Sequence, residues 1–206
     1  MNRIGIAIVA AAAFVAASSP RPANAQVHGA EESYGSPHEM PTDDVPHPVS
    51  HDSASRAEEL RVKGQCDKAV PILRRVLDNG GSEISQFNLG MCLLDLADAE
   101  HNAQHALAMR AEGADWIVRS ANAGFAQAQS KAVLLYLDGV GVAADPVEAK
   151  KWALLYRHNV SRSIFGLPDI DNGVTGRLDI AVTGEKSAEA RARANAWTKT
   201  PAASSE

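Results

Sequence analysis

The chain has 206 residues, of which 45% are hydrophobic and 22% are charged, a composition typical of one globular domain with tails. Aromatic residues make up only 5% while alanine is abundant, which favours closely packed helices over a β-sandwich. The formal net charge is −5 at pH 7. Because a protein that binds phosphate backbones needs a basic face, we expect no nucleic-acid partner.

The first 25 residues have the three parts of a secretory signal peptide. Arg3 gives a positive start, residues 4–17 form an apolar run, and Ala23-Asn24-Ala25 is an A-x-A cleavage site. The apolar run has about 14 residues, fewer than the roughly 20 that cross a bilayer. We therefore predict cleavage between Ala25 and Gln26, and a mature chain in the periplasm or outside the cell without a stable membrane anchor.

Residues 26–54 are predicted to form a disordered acidic linker. The segment has four prolines, six acidic residues and no Lys or Arg. It has almost no aliphatic side chains, so it buries too little surface to offset the entropy of ordering. Histidines among the carboxylates leave weak binding of Zn²⁺ or Cu²⁺ open as an alternative role. The histidines of this part of the chain are His28, His38, His47 and His51.

Helical spacing of apolar residues begins near residue 55 and continues to about residue 198. The first predicted helix covers 57–62. The second follows Asp67 as a cap, has Pro71 in its first turn and ends at the glycines of 79–81. The third opens at Ser82.

The later helices are predicted by their caps and by glycine or proline breaks. Asp145-Pro146 is a cap and first-turn signal for the sixth helix. Residues 159–175 are expected to be a loop, and residues 199–206 a disordered tail. The remaining predictions, in chain order, are helices at about 100–122, 126–137, 145–158, 176–183 and 187–198. No segment predicts a strand, and the fold class is all-α.

An internal repeat is the most informative feature, because periodic helix pairs stack into one continuous core. Trp116 and Trp152 lie 36 positions apart, and each closes a similar helix start. Gly80 and Gly124 each follow such a helix by the same interval and precede a new helix. The repeated unit is therefore predicted to be a helix pair.

Residues 114–152 resemble the Sel-one-like repeat, a relative of the tetratricopeptide repeat. The matching positions are Trp116, Ala121, Gly124, Ala128, Gln129, Tyr136, Gly139, Gly141, Asp145, Ala149 and Trp152. The chain departs from the family pattern at Ala132-Val133, where the family has Leu-Gly. An earlier, degenerate repeat keeps that pair as Leu89-Gly90, and the likeness covers roughly 55–198.

The resemblance implies a short α-solenoid of antiparallel helix pairs that holds a protein partner on its concave face. It implies no cofactor, metal or catalytic residue, and the function expected is a non-enzymatic scaffold in the cell envelope. Some relatives are described as penicillin-binding or β-lactamase-like, so a cell-wall hydrolase is the alternative. The chain has no G-x-S-x-G, no P-loop and no Ser followed three residues later by Lys, which weighs against that alternative.

Two cysteines, Cys66 and Cys92, are predicted to form a disulfide, because the exported chain would meet an oxidising compartment and has an even cysteine count. Helix stacking also brings the two positions together. Two buried free thiols are the alternative. His101 and His105 are spaced to share a helix face, but no third metal ligand accompanies them, and we expect them to be solvated.

Overall fold

The computed structural model describes residues 51–202, with only the backbone described for His51 and Asp52. This part of the chain is all-helical and contains no strand, which confirms the all-α class. The predicted signal peptide, residues 26–50 of the predicted linker and the last four residues lie outside the described part. The described helices are α1 (His51–Val62), α2 (Cys66–Asp78), α3 (Glu83–Ala99), α4 (Ala103–Asn122), α5 (Ala126–Asp138), α6 (Pro146–Arg157), α7 (Val160–Ile164), α8 (Asn172–Ala181) and α9 (Gly184–Ala196).

Several helix boundaries differ from the sequence-based expectation. Helix α1 begins at His51, so the last four residues of the segment predicted to be linker, 51–54, belong to this helix. Helix α7 lies in a stretch predicted to be loop, and α8 begins at Asn172 instead of near residue 176. Helix α2 begins at Cys66, so Asp67 lies in its first turn instead of capping it, and Pro71 lies beyond that turn.

Four helices begin with an Asn or Asp whose side chain accepts hydrogen bonds from backbone N–H groups of the first turn. Such caps satisfy donors that have no partner within the helix. Asp145 accepts from the N–H groups of Val147 and Glu148, at 2.9 and 3.0 Å. The other three caps are Asn102 of α4, Asn159 of α7 and Asp171 of α8. Short polar side chains thus fix where these helices start.

The helices pack mainly on their neighbours in sequence. Each helix from α1 to α5 contacts the next, and α1 also contacts α3. Helix α9 returns to pack against α6, while α8 touches α6 more lightly. The contact between α3 and α4 is the most extensive of all.

Two main groups of buried side chains form the core. The first joins α1, α2 and α3 and contains Leu60, Leu73, Leu89, Cys66 and Cys92, among others. The second extends from α3 through α6 to α8 and is built around Ile117, Leu135, Trp152 and Leu178, together with a row of alanines. Alanine supplies five of the eleven buried residues of the second group and two of the eight in the first, and at these positions the helix backbones can approach one another closely.

Glycines at the centre of the α3–α4 contact remove side chains altogether. A Cβ atom on Gly90 would lie 2.6 Å from both the carbonyl oxygen of Gly113 and Cγ1 of Ile117. A Cβ atom on Gly113 would lie 2.9 Å from the carbonyl oxygen of Gly90. Both distances are shorter than packed atoms allow, so α3 and α4 meet backbone to backbone.

Cys66 and Cys92 lie at disulfide distance, with their Cα atoms 5.0 Å apart. Both residues are buried, at the start of α2 and in the middle of α3. The pair joins these two helices within the first core group. This arrangement is compatible with a disulfide and, more weakly, with an oxidising compartment.

Gly90→Ala is expected to destabilise the protein by about 1–3 kcal/mol, because the new methyl group meets backbone atoms of α4 that cannot move cheaply. Gly176→Ala is the matched control: this glycine lies in α8 with no atom within 4 Å of a new Cβ, so alanine should add up to about 1 kcal/mol through helix propensity. Urea unfolding of both variants measures the difference. Equal stability of the two variants would contradict the close α3–α4 contact.

Reduction of the Cys66–Cys92 pair is expected to lower the free energy of unfolding by up to about 3 kcal/mol, because the bridge closes a loop of 26 residues. Thiol titration of the unfolded, unreduced protein should find no free thiol. The variant with both cysteines changed to Ala should lose similar stability and no longer respond to reductant. Two titratable thiols in the unreduced protein would show that the bridge does not form.

Candidate functional site

The residues that match the repeat pattern lie mostly inside the α4–α6 region. Five of them are fully buried: Ala121, Ala128, Gln129, Ala149 and Trp152. Gly124, Gly139 and Gly141 end helices or form turns with φ of +86°, +71° and +70°. Trp116 and Tyr136 are half-buried, and Asp145 caps α6. These positions therefore hold the helices together and leave the surface to other residues.

The α5–α6 turn requires glycine at Gly141 for two reasons. Its φ of +70° suits glycine, and a Cβ atom there would overlap the carbonyl oxygen of Arg110 in α4. The two tryptophans play different parts. Trp152 is in the second core group, whereas Trp116 packs on the first group and donates its Nε1–H to Glu112, at 3.3 Å.

Polar bonds tie together three turns at one edge of the molecule, and we call this edge the turn edge: the α2–α3, α4–α5 and α6–α7 turns. Ser120 donates its hydroxyl to the carbonyl oxygen of Glu83, at 2.7 Å. Asn159 donates its side-chain N–H to the carbonyl oxygen of Gly124 and to Oε1 of Gln129, at 3.0 and 2.8 Å. Each turn is thus fixed to its neighbour.

The C-terminal segment after α9 also reaches the turn edge. Trp197 donates its Nε1–H to Oδ1 of Asn122, at 3.2 Å, and the N–H of Thr200 donates to the carbonyl oxygen of Asn122, at 2.9 Å. Lys199 and Thr200 therefore have defined positions, although residues 199–206 are predicted to be a tail. The last four residues lie outside the described part of the chain.

An exposed apolar patch lies on α7 at the same edge. Val160, Ile164 and Phe165 are 71%, 71% and 72% exposed. We call these three residues the α7 patch. Helix α7 has no buried residue, so its apolar side chains face outward instead of contributing to the core. Val160 and Ile164 lie one helical turn apart and Phe165 follows directly, and an exposed apolar patch is a common feature of binding surfaces.

A groove of about 350 Å³ adjoins the α7 patch. Its apolar wall includes Phe165, Phe125 and the partly exposed Ile84, and its rim carries Glu83 and Lys199. Phe125 is held in place by an edge-to-face contact with Phe87, whose ring centroid is 5.3 Å away. An apolar wall with a charged rim is typical of surfaces that bind a protein segment. Sequence reasoning missed this site, and the cap residue Asn159 was its one local signal.

A network of charged side chains joins α9 to the start of α6. Arg193 donates to Asp145 and Glu148, at 2.9 and 3.1 Å, and to Glu189 at 2.6 Å. Burial raises the pKa of the Asp145 carboxyl, but the backbone N–H groups of α6 and the Arg193 guanidinium lower it by more, so this pKa lies below its ordinary value. The network holds α9 against α6.

Of the paired histidines considered as metal ligands, His101 lies in the α3–α4 turn and His105 lies in the first turn of α4. His101 precedes α4 and so does not share a helix with His105; its Nδ1 lies 3.1 Å from the carbonyl oxygen of Ala99. His105 Nδ1 lies 2.8 Å from Oε2 of Glu100. Within residues 51–202, no three His, Cys, Asp or Glu side chains are grouped closely enough to hold a metal.

No helix between residues 51 and 202 is both long enough and apolar enough to span a bilayer. Comparison of the chain with protein-family models, curated protein sequences and solved structures returned no match. The likeness to Sel-one-like repeats therefore rests on the residues quoted above and stays a prediction.

Asp145→Ala is expected to cost about 0.5–2 kcal/mol at pH 7, because it removes the cap of α6 and a partner of Arg193. Asp115→Ala, which removes only an exposed pair with Arg119 one turn away, should change stability by less than about 0.5 kcal/mol. Urea unfolding of both variants checks these values.

The pH dependence of the Asp145→Ala effect follows from the lowered pKa of Asp145. A carboxyl whose pKa is lower in the folded protein stabilises it above the unfolded pKa, about 3.9. The difference between wild type and Asp145→Ala should be constant above about pH 5 and shrink as the pH falls through the folded pKa. A difference that grows in acid would contradict this assignment.

Proposed function

We propose that the protein is an exported scaffold that mediates protein–protein interaction in the cell envelope, and that its helices form a short solenoid of Sel-one-like pairs. The α7 patch is the observation that carries this proposal. Its three side chains are over 70% exposed and lie beside an apolar groove. Contiguous exposed apolar residues of this kind mark binding surfaces in proteins that are otherwise well packed.

The rigidity of the turn edge supports the same function. Hydrogen bonds from Asn159 and Ser120 fix the turns on which the patch and groove are built. A preorganised surface binds with a smaller loss of conformational entropy than a mobile one. The proposed partner is a protein segment that places apolar side chains against Phe165 and Phe125.

This surface refines the expectation that a partner lies on the concave face of the array. The groove is lined mostly by residues of the turns and of the ends of helices, such as Gly124 and Ile84, with Glu58 from the middle of α1. We therefore propose that binding occurs along the turn edge.

A photo-crosslinking amino acid placed at position 165 of the full chain, in its own cells, should capture one discrete protein. The same amino acid at Leu107 is the matched control. Leu107 is also a large apolar residue and is 65% exposed, but it lies on α4 and belongs neither to the α7 patch nor to the groove. Removal of residues 26–50 should leave the capture from position 165 unchanged, since the patch lies in the helical region.

The captured protein is then purified and titrated with the scaffold. Ile164→Ser combined with Phe165→Ser should weaken binding at least about tenfold, because buried apolar anchors carry most interface energy. Leu107→Ser should leave the affinity unchanged. Equal capture from positions 107 and 165, or unchanged affinity of the patch variant, would refute the proposed binding surface.

A further inference from the structure

A second cavity lies between α6 and residues 169–178, and it shares no lining residue with the groove beside the α7 patch. Its volume is about 360 Å³, within the range of small-molecule sites. Ala153 and Leu154 of α6 form one apolar wall, and Ile170 and Leu178 form the other. The cavity thus has room and apolar surface for a short hydrocarbon chain.

Two of the three charged residues that line this cavity form ion pairs with residues outside it. Lys150 forms an ion pair with Asp179, at 2.6 Å, and Asp169 forms one with Arg162. Arg157 also lines the cavity and is exposed in the last turn of α6. Among residues 51–202, no carboxylate pairs with Arg157, so its guanidinium is the cation available to a bound anion.

We propose that this cavity binds a small amphipathic monocarboxylate, with the hydrocarbon part against Leu154 and Leu178 and the carboxylate on the Arg157 guanidinium. A guanidinium matches a carboxylate with two parallel N–H···O bonds. The apolar walls contribute through removal of hydrocarbon surface from water. The site is separate from the protein-binding surface proposed above and does not depend on it.

The charged groups around the cavity favour a ligand with a single negative charge. Asp169 lines the cavity and Asp179 lies beside it, so a dianion would meet two carboxylates for one available cation. A neutral ligand would leave Arg157 without a partner. Both cations act on Asp179, which lies beside the cavity. Its pKa is lowered by its hydrogen bond to Lys150, by the charge of Lys150 and also by the charge of Arg157.

Isothermal titration of residues 26–206 with octanoate, 1-octanol and octyl phosphate tests the site, because the three probes share a chain and differ in head group. Octanoate should bind with one-to-one stoichiometry and at least about threefold more tightly than 1-octanol, the gain expected from an ion pair with an exposed guanidinium. Octyl phosphate, largely a dianion at pH 8, should bind more weakly than octanoate.

Arg157→Gln should weaken octanoate binding about threefold or more. Arg177→Gln is the matched control, because Arg177 is an exposed arginine of α8 that pairs with Asp138 and does not line the cavity. Phe165→Ser should also leave octanoate binding unchanged. Absence of saturable octanoate binding, equal binding of 1-octanol, an unchanged Arg157→Gln affinity, or loss of binding in Phe165→Ser would each overturn the proposal.

Discussion

The backbone contact between α3 and α4 is the constraint on which the rest of the structure depends. Gly90 and Gly113 face each other without side chains, and this lets the two longest helices pack along most of their length. The α5–α6 turn then packs on α4, because Gly141 lies directly against the carbonyl oxygen of Arg110. The placement of α6, and of α9 against it, therefore follows from a contact made two helices earlier.

That close packing also determines where polar and apolar groups can be used. Alanine is the most frequent buried residue of the described chain, and the ends of the helices are held by polar bonds instead of by large side chains. Ser120, Asn159 and Trp197 supply these hydrogen bonds to neighbouring turns. The rigid edge that results carries the α7 patch, whose exposure has no structural benefit in an isolated chain.

The helices could be predicted well where local chemistry decides them, and poorly where it does not. Asp145 and the glycines after α5 are local signals, since a cap and a positive φ depend on a few neighbouring residues. Helix α7 was missed because it has only five residues and no buried face, so its apolar spacing is too short to be distinguished from a loop. The groove and the second cavity were missed for a different reason, since each is lined by residues distant in sequence.

The sequence by itself determined the all-helical class, most helix positions and the two cysteines as a candidate pair, because composition, periodicity and capping act over a few residues. Only the tertiary structure decided that Gly90 meets Gly113, that Arg157 lines a cavity with apolar walls, and that Val160, Ile164 and Phe165 face water beside a groove. The physical reason is that exposure, pairing and cavity shape depend on which distant helices come to lie side by side, and periodicity along the chain does not encode this.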